Sequence, residues 1–278
     1  MGLDINAVQF LISARKRGAI FGHTLTLGRQ HLGESPSVMA SLLEGSGFPA
    51  DKFRSNSPDN IYADRFLEAL GATRVDALDN SGFEGATIVH DLNQPFEEHW
   101  KNRFDAVIDG GTLEHVFNFP AALKNVMGLP RENGSLFLHT PTNNLCGHGF
   151  YQFSPELFFR VFSEDNGYSV ERMVIHRIGP YNRWYDVSDP DHIRSRVELI
   201  TFTPMMLLVQ AKRERIKEVL VNLPQQSDYA ELWQVPGNPT WKPMWKRFRL
   251  LSAVKTAIEF YRRQSLRNRT CFRKSKYK

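Results

Sequence analysis

The segment Phe104-Asp-Ala-Val-Ile-Asp-Gly-Gly-Thr-Leu-Glu-His-Val116 constrains this chain more than any other. A short apolar run ends in an acid and two glycines, and helix-like spacing begins directly after it. That pattern describes a strand delivering a carboxylate to a ligand crevice. Open α/β sheets bind small molecules just beyond the carboxyl ends of their strands, where glycine lets backbone come close and helix starts offer free N–H groups.

The flanking pattern repeats this alternation. Ile5, Val8, Leu11 and Ile12 recur at helical spacing before Arg15-Lys-Arg17, which predicts a leading helix with a basic last turn. Strand-like runs follow at Thr24 to Leu27, Arg74 to Leu78, Ala86 to Leu92, Phe104 to Ile108 and Ser135 to Thr140. Helical runs lie between them at Pro36 to Leu43, Ile61 to Leu70 and Phe119 to Met127, and another begins after Ser154-Pro-Glu156 at Leu157 to Phe162. Alternating β and α runs imply a parallel sheet. Tyr168 to Ile178 and Thr201 to Lys212 have no helix-sized crossover between them, so they are expected to pair as an antiparallel hairpin at the sheet edge. The fold class is therefore α/β: a Rossmann-like, doubly wound, mainly parallel sheet with a C-terminal antiparallel hairpin and a helical basic tail. The domain reading is a leading helix at 1–23, the α/β domain at 24–212, a helix and proline-rich linker at 213–243, and a basic tail at 244–278.

Charge is divided unevenly along the chain. The whole carries +5, yet from Lys246 onward twelve Lys or Arg face one acid, Glu259, so the body is about −6. An anionic partner would meet the C-terminus first, and no nucleic-acid binding is expected of the body. Met244, Phe248, Leu251, Val254, Ile258 and Tyr261 form one helical stripe flanked by basic side chains. Two readings follow: peripheral contact with an anionic inner membrane surface, or docking of the stripe on the body with Arg267 to Lys278 mobile. Two cysteines without paired spacing, and no apolar run of signal-core or membrane-spanning length, suit a cytoplasmic protein.

The order of a helix, five β/α units and an antiparallel hairpin resembles the class I S-adenosylmethionine-dependent methyltransferases. The residues at the strand ends carry the likeness further. Val75-Asp-Ala-Leu-Asp79-Asn-Ser81 is similar to that family's second strand with its acidic end, and Phe104 to Val116 with Gly134-Ser-Leu-Phe-Leu-His-Thr-Pro141 is similar to its fourth and fifth strands. The resemblance implies S-adenosylmethionine as cofactor. Asp79 would accept from the ribose hydroxyls, Asp91 with Leu92 would meet the adenine, and Asp109 with Gly110 would line the methionine end. The first glycine loop, Thr26-Leu-Gly28-Arg29-Gln30-His-Leu-Gly33, departs from the family pattern. Gly28 matches, but Thr26 stands where an acid is usual and Gln30 where the glycine of closest approach is usual. Either Arg29 or Gln30 supplies new donors in a rearranged loop, or the fold has lost its cofactor.

The function this implies is methyl transfer, by in-line displacement, to a small-molecule or saccharide acceptor. His115 and His148 are the candidate general bases. Tyr151 and Phe153 would stack on a ring of the acceptor, and Tyr181, Trp184 and Tyr185 would form a lid. Asp186, Asp189, Asp191 and His192 read as turn composition, and no metal is assigned to them. The competing reading is a non-catalytic methyltransferase-fold scaffold that docks through its basic tail on a membrane or acidic partner.

Overall fold

A computed structural model describes residues 2–54, 57–179, 183–229, 258 and 261–276. The chain opens with a two-residue strand β1 (Gly2–Leu3) and helix α1 (Ile5–Lys16), whose N-cap Asp4 accepts a hydrogen bond from Ala7 N at 2.8 Å. Strand β2 (His23–Leu27) and the short β3 (His31–Leu32) precede α2 (Pro36–Gly45) and α3 (Asp64–Ala69). Then come β4 (Arg74–Asp79), β5 (Ile88–Val89), β6 (Phe104–Asp109), α4 (Phe119–Gly128), β7 (Pro130–Asn143) and α5 (Pro155–Val161). The last third holds β8 (Tyr168–Arg177), β9 (Tyr185–Val187), α6 (Pro190–Ile193), β10 (Met205–Arg213) and β11 (Phe272–Lys274).

The main sheet has the order β11-β9-β8-β10-β7-β6-β2-β4-β5. From β5 to β7 all pairings are parallel, and helices cover both faces. Alternation along β6 explains this: Ala106 and Ile108 join the core under α1, α2 and α3, whereas Val107 joins the core under α4 and α5. The arrangement is a Rossmann-like α/β fold. α1 is buried along most of its surface through Val8, Phe10, Leu11 and Ile12, so it is part of the domain's core.

The antiparallel pair differs in place from its sequence expectation. β10 runs antiparallel to both β7 and β8 and lies between them, so the pair is interior to the sheet. β9 and β11 continue the sheet beyond β8, and β11 forms the edge. Residues near the C-terminus, expected to be mobile, return to the sheet instead. Phe272 pairs with Val187 and Lys274 with Tyr185, while Cys271 and Phe272 are buried. The apolar side chains supply the reason, because a Phe packed against the α5 side of the sheet repays the ordering of three exposed neighbours. The stripe from Met244 to Val254 lies outside the described residues, as does the linker from residue 230 to Pro243. Among the described residues no helix is long and apolar enough to cross a membrane.

β5 is shorter than its apolar run. His90 N still reaches Asp79 O at 2.8 Å, but Asp91 then accepts from the Asn93 backbone at 2.9 Å, closing an Asx turn that ends the strand.

Replacing Phe272 with Ala should lower unfolding free energy by about 3 kcal/mol, whereas Phe202→Ala, at a side chain that is 91% exposed, should change it by less than about 0.5 kcal/mol. Urea titration of the two variants checks this. Equal, small effects would mean that the C-terminal strand does not hold the sheet edge.

Candidate functional site

The carboxyl ends of β4, β2, β6 and β7 lie side by side, with Leu27 level with Leu78 on one side and Asp109 on the other. Gly28 leaves β2 with φ +72°, a left-handed turn that glycine makes without a steric cost, and its N–H meets Leu78 O at 2.6 Å. Arg29 then turns toward β4. Its guanidinium lies 3.8 Å over the Tyr62 ring and donates to Glu84 O at 3.1 Å, and the neighbouring His31 Nε2 is 2.9 Å from Glu84 Oε1.

Gln30 turns the other way, into the protein. It is 1% exposed, its Nε2 donates to Leu27 O, and its Oε1 is buried with no hydrogen-bond partner. Gly110 makes room for it. A Cβ at Gly110 would lie 2.8 Å from Gln30 Cδ and 3.1 Å from Leu3 Cδ2. The amide and the β1 leucine thus fill the space beside Gly110, and the amide donor serves the Leu27 carbonyl. Gln30 therefore presents no donor to a crevice.

Asp109 is fully buried, and its oxygens are taken by the next turn. Oδ1 accepts from Gly111 N at 3.1 Å and Thr112 N at 2.7 Å, and Oδ2 from Leu113 N at 3.4 Å. It shapes the turn, and both of its carboxylate oxygens are taken up there. Asp79 is half-buried at the end of β4, where Oδ1 accepts from Ser81 N at 3.2 Å. Asp91 accepts from both the backbone and side chain of Asn93, which hold its carboxyl below the usual carboxylate range. Leu92 is buried, and its carbonyl accepts from Asn125 Nδ2 at 3.2 Å. The three acids share one end of the sheet, and Asp79 and Asp91 each keep one oxygen, Oδ2, without a described hydrogen-bond donor, whereas both oxygens of Asp109 are taken.

Beyond β6 a second group assembles. His115 and His148 are exposed, with ring centroids 5.3 Å apart. Glu114 beneath them is completely buried: Oε2 accepts from Thr140 Oγ1 at 3.2 Å, and Oε1 lies 3.5 Å from His148 Nε2. Gly149 permits this closeness. The Glu114 carbonyl accepts from Phe150 N at 2.9 Å and from Tyr151 N at 3.2 Å, and a Cβ at Gly149 would come within 2.8 Å of it. Burial, then repulsion from Asp109, pushes the Glu114 carboxyl up to about 8. Burial, then His148, holds His115 below its usual value, which favours a neutral imidazole able to take a proton.

Several side chains sit differently from their sequence reading. Phe153 is core, stacked among Phe119, Tyr151 and Phe158, and the Tyr151 hydroxyl donates to Phe117 O at 2.7 Å. The exposed rings are Phe117 and Phe150, in edge contact at 5.8 Å beside the histidine pair. Trp184 is no lid, for it lies edge-on to Phe10 at 5.9 Å and donates to Asn6 Oδ1 at 3.0 Å. Tyr185 belongs to β9, and Tyr181 lies outside the described residues. Asp189 caps α6 and meets Arg160, while Asp186 pairs with Arg172 at 3.3 Å, both ordinary structural uses. Tyr62, Glu84, Phe117, Phe150, His139 and His176 do not stand out in the sequence as site residues. For His139 a signal existed, a lone histidine within the apolar run Leu136-Phe-Leu-His-Thr140.

No protein-family model and no curated protein matches the sequence. Solved structures with a similar course include 1,6-didemethyltoxoflavin-N1-methyltransferase from Burkholderia thailandensis, at 10% identity and a TM-score of 0.42 over 75% of this chain and 78% of that one. The N-methyltransferase NodS from Bradyrhizobium japonicum aligns at 10% identity and 0.41, over 76% and 96%. A putative methyltransferase from Bacillus halodurans aligns at 11% and 0.36, over 73% and 99%. At these scores the likenesses carry no argument about activity or site. The fold assignment rests on the strand order above.

A carboxyl raised by burial favours folding while protonated and opposes it once ionised. Glu114 should therefore make the protein lose stability as pH rises from the unfolded value near 4.5 through about 8, at up to roughly 1.4 kcal/mol per pH unit. Glu114→Gln should remove that slope. Urea unfolding at pH 5.5 and pH 8 measures it, and parallel slopes for both proteins would place the burial cost elsewhere.

Proposed function

We propose that this chain is an S-adenosylmethionine-dependent methyltransferase acting on a small molecule that carries a ring. One observation supports the reading above others: Asp79 at the tip of β4 and the His115–His148 pair beyond β6 and β7 lie along the same end of one sheet. That edge offers a nucleoside contact and a proton acceptor side by side.

The residues fit the cofactor at one end only. Asp79 Oδ2 is left to accept from a ribose hydroxyl, and the Arg29–Tyr62 stack borders the same loop. At the methionine end the packing of Gln30 and Leu3 against Gly110 does not fit a ligand, so this chain would bind the cofactor only with those side chains displaced. When bound, the cofactor supplies an activated methyl group. The chain's own contribution is on the acceptor side. Phe117 and Phe150 offer apolar faces to a sugar or heterocycle, and His115, whose lowered pKa favours the neutral imidazole, takes the proton of an acceptor hydroxyl with His148 beside it.

A second reading is a non-catalytic scaffold, which the same buried Gln30 amide favours. The stretch of its basic docking helix from Met244 to Val254 lies outside the described residues. Calorimetric titration with S-adenosylmethionine and S-adenosylhomocysteine separates the two. The enzyme reading expects binding by the wild type, a loss of at least about tenfold in Asp79→Ala, since a hydrogen bond to a charged group contributes about 1.5–3 kcal/mol, and tighter binding in Gln30→Gly. Folded wild type and Gln30→Gly that both fail to bind would overturn it in favour of the scaffold.

A further inference from the structure

On the α1 face of the sheet, away from the exposed histidine pair, two further histidines stand together. His139 on β7 is opposite Leu208 of β10, and His176 on β8 is opposite Met206, so the alternation along β10 puts both imidazoles on one face. Their rings stack at 5.6 Å with an 18° tilt, and they are 6% and 0% exposed. Above them is Asp4, the N-cap of α1, with Oδ1 3.8 Å from His139 Nε2. One ligand atom from each of the three residues lies within 4.8 Å of the other two.

Three features suit this trio to a cation. His139 Nε2 is buried without a hydrogen-bond partner, a position that is unfavourable unless something occupies it. His176 has its other ring nitrogen, Nδ1, 2.7 Å from Arg177 O; donating there leaves the lone pair on Nε2, the orientation that metal-ligating histidines take from an outer hydrogen bond. The third donor is a carboxylate, which with two neutral imidazoles makes a set of charge −1. The Glu114, His115 and His148 group offers the same residue types, but its imidazoles are exposed and its carboxyl is crowded by Asp109.

We propose that Asp4, His139 and His176 form a binding site for a divalent transition metal of the zinc class. Two imidazole nitrogens and one carboxylate oxygen match the borderline donors that Zn2+ takes, whereas Mg2+ and Ca2+ favour all-oxygen shells. Three protein ligands leave one tetrahedral position for water. The ion would tie the N-terminal arm, Gly2 to Asp4, to strands β7 and β8. That arm carries Leu3, which helps to fill the space beside Gly110, so the ion would fasten the cover of the sheet end.

The test uses the full chain, purified without a polyhistidine tag and freed of metal, titrated with ZnCl2 by competition against a chromophoric chelator. One high-affinity Zn2+ per chain is expected. Asp4→Asn keeps a capping side chain for α1 and should fold normally, yet weaken zinc binding by at least about tenfold, as should His139→Gln. His148→Gln should keep the wild-type zinc affinity. Hydrogen exchange of the α1 amides should slow on zinc addition in the wild type and not in Asp4→Asn. Folded wild type that takes up no zinc would overturn the proposal, and so would affinity lost in His148→Gln but retained in Asp4→Asn, which would place the ion at Glu114.

Discussion

The contact between Gln30 and Gly110 decides what the end of this sheet can do. The side-chain amide of Gln30 holds the last carbonyl of β2, its backbone carbonyl accepts from Ala63 N at 2.8 Å, and its carboxamide rests where any residue but glycine would put a Cβ at position 110. Three segments meet at this one side chain: the loop after β2, the turn after β6 and the N-terminal arm. The unpartnered Oε1 is a local cost that such packing must offset. A glycine at position 30 would leave a groove between β2 and β6, and the glutamine closes it.

The acids at the strand ends follow a related logic. A carboxylate that ends a strand can point outward to a ligand or curl back to hold the next turn, and backbone N–H groups compete for it at short range. Asp109 curls back, satisfied by the turn at Gly111 to Leu113, and Asp91 does the same with Asn93. Asp79 meets only Ser81 N. Burial raises the carboxyls of both Asp109 and Glu114, and Asp109 adds repulsion at Glu114, so proton chemistry concentrates at the end of β6, beneath His115 and His148.

The long elements were legible in the sequence because each buries a periodic apolar face. β2, β4, β6 and β8 fall within a residue or two of their apolar runs, and the spacing from Ile5 to Arg17 matches α1. Strands of two or three residues, β1, β3, β9 and β11, carry no periodicity and depend on partners far away in sequence, so nothing local announced them. The site was legible only as an outline. A sequence shows that an acid ends a strand but not which way its oxygens turn, and it shows aromatic clusters but not which rings stay in water. Phe153 fills the core beneath α4 and α5, Tyr151 packs half-buried against it, and Phe117 and Phe150 remain outside.

The antiparallel strand has a consequence that composition could not disclose. By lying between β7 and β8, β10 sets His139 and His176 two strands apart on one face, where the small step between alternate β10 residues lets the rings stack. The segment that covers them also covers Gln30. Gly2 pairs with His31, and a Cβ at Gly2 would press within 2.8 Å of the His31 carbonyl, so the arm is seated closely along β3. Leu3 then packs at Gly110 and Asp4, the next residue, stands over the histidines. Displacing Leu3 to open the groove therefore carries Asp4 off the imidazoles, and fastening Asp4 holds Leu3 in place. A single peptide unit joins the two contacts.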